Sequence, residues 1–209
     1  MNGFLTVGTN LFLYNTKHLM NMADTPNTNN TEFPEYTTRF SLKNKLYRLI
    51  WNITYYFLFR PFIGNIFNRW RILLLKLFGA KIGEGSFIYS TVKIWFPKNL
   101  TIGKRTCIGP NVFCYNPQPI TIGDKVTVSQ NSYLCGGSHD INDLALGFIS
   151  APIVIKDFSW VCANCFIMMG TTIEEGCVIG ATASLFKSTE PWSVYGGNPA
   201  KFIKKRSIK

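Results

Sequence analysis

From Ile82 to Leu185 a branched aliphatic residue returns every six positions, as Ile82, Ile88 and Ile94, then Ile102 and Ile108, then Ile122, Val128 and Leu134, then Ile155, Val161, Ile167, Ile173, Ile179 and Leu185. Four residues after most of them stands a small or β-branched side chain: Ser86, Val92, Thr106, Val112, Val126, Ser132, Ser138, Ser159, Cys165, Thr171, Cys177, Ala183 and Thr189. A helix requires a period of 3.6 and an alternating strand a period of 2, so a strict six marks a solenoid of very short strands and turns. The chain is expected to be an all-β solenoid of about five coils with helical and terminal appendages.

The interruptions carry as much information as the count. Ile94 to Ile102 is eight residues, Ile108 to Ile122 is fourteen with Cys114 in the intervening aliphatic place, and Leu134 to Ile155 is twenty-one. With three hexapeptides to a triangular coil, coils begin at Ile82, Ile102, Ile122, Ile155 and Ile173, and every insertion follows the third strand of its coil. All of them leave from one edge of the prism. The longest, a loop over residues 139–154, is the expected binding face, because long excursions from a repeat gather where ligands do.

Within a coil each aliphatic side chain points inward and stacks on its counterparts about 4.8 Å above and below. The position four later turns inward near a narrow corner, where bulk would split the coil. Gly83, Gly103, Gly109, Gly123 and Gly180, each directly after an aliphatic position, are expected to relieve backbone crowding at the turns.

The chain has 209 residues, 46% of them apolar and 16% charged, enough for one core with appendages. Residues 1–38 form the expected disordered leader, Asn- and Thr-rich around Pro26, with Met20 or Met22 as alternative starts and no basic segment or small-residue cleavage site of a secretory signal. Residues 39–81 hold nine lysines and arginines and no acid, interleaved with Tyr47, Trp51, Tyr55, Phe59 and Trp70. Its longest uncharged run, Leu49 to Phe59, is about half of what a membrane span requires. Two basic amphipathic helices, broken at Pro61 and closed by Gly79, suit peripheral contact with an anionic membrane surface, and equally a cap on the open end of the first coil. Residues 82–190 are the repeat, and 191–209 a C-terminal cap and basic tail.

A formal charge of +11 raises the question of nucleic acid. The bases gather in the arm and in Lys201, Lys204, Lys205, Arg206 and Lys209, and no zinc-finger, RNP or helix-turn-helix pattern accompanies them, so no nucleic-acid partner is expected. Cys162 and Cys165 form a lone CxxC with no second pair, and Cys165 and Cys177 fall on inward corner positions, so the thiols are read as corner filler and no metal is expected. Free thiols suit a reducing cytoplasm.

His139 is the candidate base. It is one of two histidines, the other being His18, and it opens the long loop in Gly136-Gly137-Ser138-His139-Asp140, where two glycines would let a ligand approach the backbone. Imidazole changes charge near neutral pH, so its neutral form can take a proton from an alcohol attacking a carbonyl.

Ser138-His139-Asp140, Lys156 to Val161, Gly180-Ala181, the run Pro191 to Lys201 with its Gly-Gly-Asn-Pro-Ala-Lys, and Ile203 to Arg206 together resemble the hexapeptide-repeat acetyltransferases. Within that family the chain is most similar to the colanic acid biosynthesis acetyltransferase type, which shares the basic aromatic arm, and the likeness spans about residues 40–206. The resemblance implies a left-handed parallel β-helix and a homotrimer whose active sites lie between neighbouring prisms. It implies acetyl-CoA as co-substrate and a sugar or lipid-linked saccharide as acceptor in surface polysaccharide biosynthesis. It makes His139 the general base of a direct transfer, with Trp160, Asn116 and Asp140 toward the acceptor. Ala163 and Ala181 match positions whose backbone meets the pantetheine arm, Lys187 and Lys201 positions that meet phosphates, and Pro199 one beside the adenine. Phe186 departs from the pattern, which has a small polar residue before the lysine. Asn116 also reads as a turn residue in Tyr115-Asn116-Pro117, and either Asp140 or Asp143 could orient the imidazole. Two alternatives stay open, a sugar-amine N-acyltransferase and a non-catalytic binding scaffold; a zinc carbonic anhydrase of this fold would need three histidines per site, more than the repeat supplies.

Overall fold

The computed structural model describes residues 40–208; the leader, His18, Arg39 and Lys209 lie outside it. The repeat forms a parallel β-solenoid of three sheets. The first sheet stacks Lys81–Ile82, Leu100–Ile102, Ile120–Ile122, Ile153–Ile155 and Thr172–Ile173. The second stacks Phe87–Ile88, Cys107–Ile108, Thr127–Val128, Trp160–Val161 and Val178–Ile179; the third Lys93–Ile94, Phe113–Tyr115, Tyr133–Cys135, Phe166–Met168 and Ser184–Leu185. Registers such as Ile82 to Ile102 to Ile122 to Ile155 to Ile173 put one aliphatic on the next in every column. None of these inward aliphatics is more than 7% exposed, and Cys114 is buried in the place left for one.

The coil count is one higher than the hexapeptide spacing gives. After five full coils, Ser193–Gly196 adds to the second sheet beside Val178–Ile179, then Lys201–Lys205 turns back antiparallel on it. The sixth turn escapes the six-residue pattern because a single strand of it forms, with Tyr195 beside Ile179 where a branched aliphatic would stand.

The small residues do occupy inward corners, and the hydroxyls among them link coil to coil. Ser86 Oγ donates to the carbonyl of Gly103 and accepts from the Thr106 N–H; Thr106 Oγ1 repeats both bonds one coil on, with Gly123 and Val126. A buried hydroxyl that both donates and accepts carries no desolvation penalty. Ser138 departs from the rule, because it lies partly exposed in the loop. At Gly83 an added Cβ would come within 2.5 Å of the Gly103 carbonyl carbon, so the turns at this corner are packed backbone to backbone.

The arm folds as α1 (Leu42–Thr54), begun by Ser41, whose side chain accepts from the Asn44 N–H, and extended by a π-helical turn over Tyr55–Phe59. A short 3-10 turn leads into α2 (Asn68–Leu77), and Gly79 ends it with φ +84°. The first coil has no neighbour on one side, so its outer peptide groups need partners from elsewhere. α2 supplies them: Asn68 Oδ1 accepts from the Ile88 N–H and its amide donates to the Ser86 carbonyl, while Arg71 Nε donates to the Ile88 carbonyl. From α1, Trp51 Nε1 donates to the Ile94 carbonyl at 2.7 Å, and the ring is buried with Phe59 and Leu75 over the mouth of the prism. Replacing Trp51 by Ala is expected to cost roughly 3–5 kcal/mol in urea unfolding, whereas Leu58→Ala, at a half-exposed position of the same arm, should change the midpoint little.

Candidate active site

The longest insertion is an antiparallel hairpin, Gly137–His139 against Phe148–Ser150, leaving the edge between the third and first sheets directly after Tyr133–Cys135. His139 pairs in register with Phe148, whose ring meets the imidazole edge-on at 5.8 Å. The hairpin is held down by the Gly136 N–H donating to the Tyr115 carbonyl. Gly136 and Gly137 are both buried, and a Cβ on them would strike the Tyr115 carbonyl and the Phe148 ring. The glycines therefore serve close packing within the chain, and the expected opening for a ligand at this backbone is filled.

The hairpin tip fixes the imidazole. Nδ1 of His139 lies 2.5 Å from the carbonyl oxygen of Leu146. A carbonyl can only accept, so Nδ1 carries the proton and the basic lone pair falls on Nε2. The two aspartates act on the backbone of the tip. Asp140 Oδ1 accepts from the Asn142 N–H, Asp143 Oδ1 from Ala145 and Asp143 Oδ2 from Gly147, so both carboxylates shape the turn that presents Leu146, itself at φ +47°. Sequence reasoning missed Leu146 because the working atom belongs to the backbone. Two carboxylates within four residues of the histidine drew attention instead.

Asn116 is fully buried. Its side chain accepts from the Phe96 N–H and donates to the Phe96 carbonyl, so it stitches the second coil to the first. Trp160 is 46% exposed on the outer face of the second sheet, its indole N–H donating to Ser129 Oγ one coil before.

The donor-side residues separate into two groups. Ala163 follows Trp160–Val161 and Ala181 follows Val178–Ile179, both at the corner between the second and third sheets, where the Thr182 N–H donates to the Ala163 carbonyl. The segment carrying Pro199 extends this column, since Ser184 N–H donates to Gly197 and Ala200 N–H to Ser184. Lys201 is exposed immediately beyond. Lys187 is exposed too, but it follows the third-sheet strand Ser184–Leu185 and so belongs to the edge that carries His139. In a three-sided prism the second sheet faces away from that edge. One chain thus puts His139 and Lys187 on one edge, Trp160 on the sheet opposite it, and Ala163 and Ala181 at the corner between the second and third sheets.

The thiols are quiet. Burial pushes Cys114 up to about 12 and Cys165 up to about 11, and all six cysteines are free. Among the described residues no group of His, Cys, Asp and Glu is arranged to hold a metal ion.

The coiled prism is shared with known proteins. The hexapeptide repeat of succinyl-transferases matches residues 99–135 and 152–186. The chain is 43% identical over 142 residues to the Escherichia coli K12 protein named as a colanic acid biosynthesis acetyltransferase, WcaF, covering 68% of this chain and 78% of that one. It is 28% identical over 134 residues to the galactoside O-acetyltransferase of the same organism, covering 63% of this chain and 66% of that one. Among solved structures, a hexapeptide-repeat acetyltransferase of Vibrio cholerae complexed with acetyl-coenzyme A superposes with a TM-score of 0.73 at 25% identity, over 83% of this chain and 94% of that one. A galactoside acetyltransferase in complex with coenzyme A gives 0.73 at 26% identity, over 81% and 86%. The chain belongs to the hexapeptide-repeat acetyltransferases. Its likeness to WcaF extends through most of both chains.

The tautomer is directly observable. In nitrogen-15 spectra of histidine-labelled protein with the ring neutral, His139 should be protonated at Nδ1. Asp143→Ala, which removes two of the bonds that shape the tip, should return the ring to a mixture of tautomers, and an unchanged spectrum would remove the carboxylate's role.

Proposed function

We propose that the protein is an O-acetyltransferase that moves an acetyl group from acetyl-CoA to a sugar hydroxyl in surface polysaccharide biosynthesis, by direct transfer with His139 as general base. The observation that carries this reading is the imidazole on the projecting hairpin, with its proton committed at Nδ1 to a backbone carbonyl and its lone pair at Nε2. Bound acetyl-CoA supplies the thioester. Nε2 removes the acceptor's hydroxyl proton as the oxygen attacks, and the imidazolium that forms is stabilised by the same Leu146 carbonyl. Backbone N–H groups beside Trp160 shape the pocket for the tetrahedral oxyanion, and the imidazolium returns its proton to the departing thiolate. No acyl-enzyme forms.

The site is completed between subunits of a homotrimer. This is supported by the arrangement described above: His139 and Lys187 on one edge, Trp160 on the sheet opposite it, and Ala163 and Ala181 at the next corner. Abutting prisms would bring the histidine edge of one chain to the column of the next. The exposed Lys187 and Lys201 then supply phosphate contacts from two chains, and Ala163 and Ala181 leave room for the pantetheine arm. Phe186, 43% exposed and 6.0 Å from the Phe166 ring, narrows the nucleotide end.

His139→Ala is expected to lower kcat by about 10²–10⁴ while sedimentation still shows the trimer. Mixed trimers of His139→Ala and Trp160→Ala chains should regain activity that neither variant has alone, since some interfaces in the mixture combine an intact His139 with an intact Trp160. No recovery would place both residues in one chain's site.

We also assign the arm to the cytoplasmic face of a membrane, as a peripheral contact. No helix among the described residues is long and apolar enough to cross one. While one side of the arm closes the first coil, Leu42, Leu46, Ile53, Phe57, Ile66 and Leu77 stay more than half exposed among lysines and arginines with no acid. Such a face suits anionic lipid, at on the order of 1 kcal/mol per basic residue near the surface. Sedimentation with phosphatidylglycerol vesicles should retain the protein at low salt and lose much of it at high salt; equal recovery with neutral phosphatidylcholine would remove the electrostatic part.

A further inference from the structure

The edge that carries the His139 hairpin holds a second feature, which the transfer chemistry does not use. Trp95 follows the third-sheet strand of the first coil, Tyr115 ends that of the second, and the hairpin follows that of the third, so three successive coils line these residues along one edge. The Trp95 and Tyr115 rings meet edge-on at 5.4 Å. Phe40, just before α1, packs on Trp95 at 5.1 Å and on Phe148 at 5.5 Å, and Phe148 is the ring that touches His139. Over this platform lies Arg48 of α1, its guanidinium carbon 4.3 Å from the Trp95 centroid and 5.3 Å from that of Phe40.

Among the described residues, Arg48 is a half-buried cation with no anion. Its Nε donates to Asn44 Oδ1 at 2.9 Å, but neither ion pair among the described residues, Lys156–Glu174 or Lys205–Glu190, includes it, and residues 40–81 contain no acid. Partial burial pulls the group below its ordinary pKa, with Tyr115 acting the other way, so the position is electrostatically unfavourable without a partner. Stacking occupies the faces of the guanidinium, whereas its remaining N–H donors lie in the ring plane, at the edge. That edge makes no hydrogen bond among the described residues.

We propose that Arg48, over Trp95 and Phe40 and beside Tyr115, is an acceptor subsite that binds an anionic substituent, a carboxylate or a phosphate, on the sugar whose hydroxyl His139 deprotonates. A planar fork of donors matches both groups bidentately. The subsite lies two ring contacts from the imidazole's own neighbour, along the same edge of the prism, so a saccharide laid on that edge carries its charge away from the reacting hydroxyl. The acceptor class is thereby an acidic sugar or a sugar linked through phosphate. The inference rests on the transferase reading for its sugar, though not for its anion.

The test uses the full chain carrying His139→Ala, which binds without turnover, and three probes studied by calorimetry: methyl glucuronide for the carboxylate, UDP-glucose for the phosphate, and methyl glucoside as the neutral control. At least one anionic probe should bind about tenfold or more tighter than the glucoside. Adding Arg48→Gln should erase that advantage and leave the glucoside unchanged; Arg48→Lys should keep part of it, having charge without the fork. The proposal is overturned if neither anionic probe outbinds the neutral one, if neither binds at millimolar concentration, or if Arg48→Gln weakens all three alike, the mark of a purely structural stack. Failure of the transferase reading looks different: Arg48-dependent anion binding would persist while the unmodified chain acetylated no hydroxyl.

Discussion

Every strand of the five full coils takes its backbone partners from the coils above and below, never from the strand before it in sequence. That constraint makes the two ends of the stack the places where the fold is decided, because an end coil faces peptide groups with no coil to meet them. At the first coil the answer is a pair of polar side chains on a helix. Asn68 answers both an N–H and a carbonyl of the second-sheet strand, and Arg71, almost wholly buried, answers another carbonyl there. At the last coil the chain folds Lys201–Lys205 back on Ser193–Gly196, and Arg206 reaches back to the carbonyls of Phe158 and Gly176.

The arm is thus part of the solenoid's architecture on one side and an exposed basic and apolar surface on the other. The two roles fall on different residues: Trp51, Tyr55, Phe59, Arg71 and Leu75 look inward, while Leu46, Ile53, Phe57 and Leu77 look out. Arg48 belongs to neither set. It lies on the flank where α1 passes the edge of the prism, stacked on Trp95, and links the arm to the edge that bears the histidine hairpin.

The repeat was legible because its physics is local and periodic. One inward aliphatic per six residues, a small corner residue four later and the interruptions after each third strand are all visible as spacing, and each column stacks in the structure as that spacing requires. What the spacing could not reveal are features that depend on backbone atoms or on non-periodic packing. The Leu146 carbonyl has no signature in residue type, so the neighbouring aspartates looked like the orienting groups. Gly136 and Gly137 looked like room for a ligand because sequence does not say that Phe148 and Tyr115 fill it. Asn116 was ambiguous for the same reason: an amide in a turn and an amide in a pocket have the same letter, and only its bonds to Phe96 separate them.

The hairpin leaves after Leu134 and returns before Ile155, yet the columns on either side stay in register: Tyr115 pairs with Cys135 and Ile122 with Ile155. The excursion begins and ends at one corner, so its length is invisible to the stacked interior. A lineage can therefore lengthen, shorten or rewrite this segment while leaving the scaffold's folding untouched, provided the two glycines and the tip that holds the imidazole are kept. Chemistry and selectivity are in this way inherited separately: the scaffold as a fixed frame, the excursion as an exchangeable cassette.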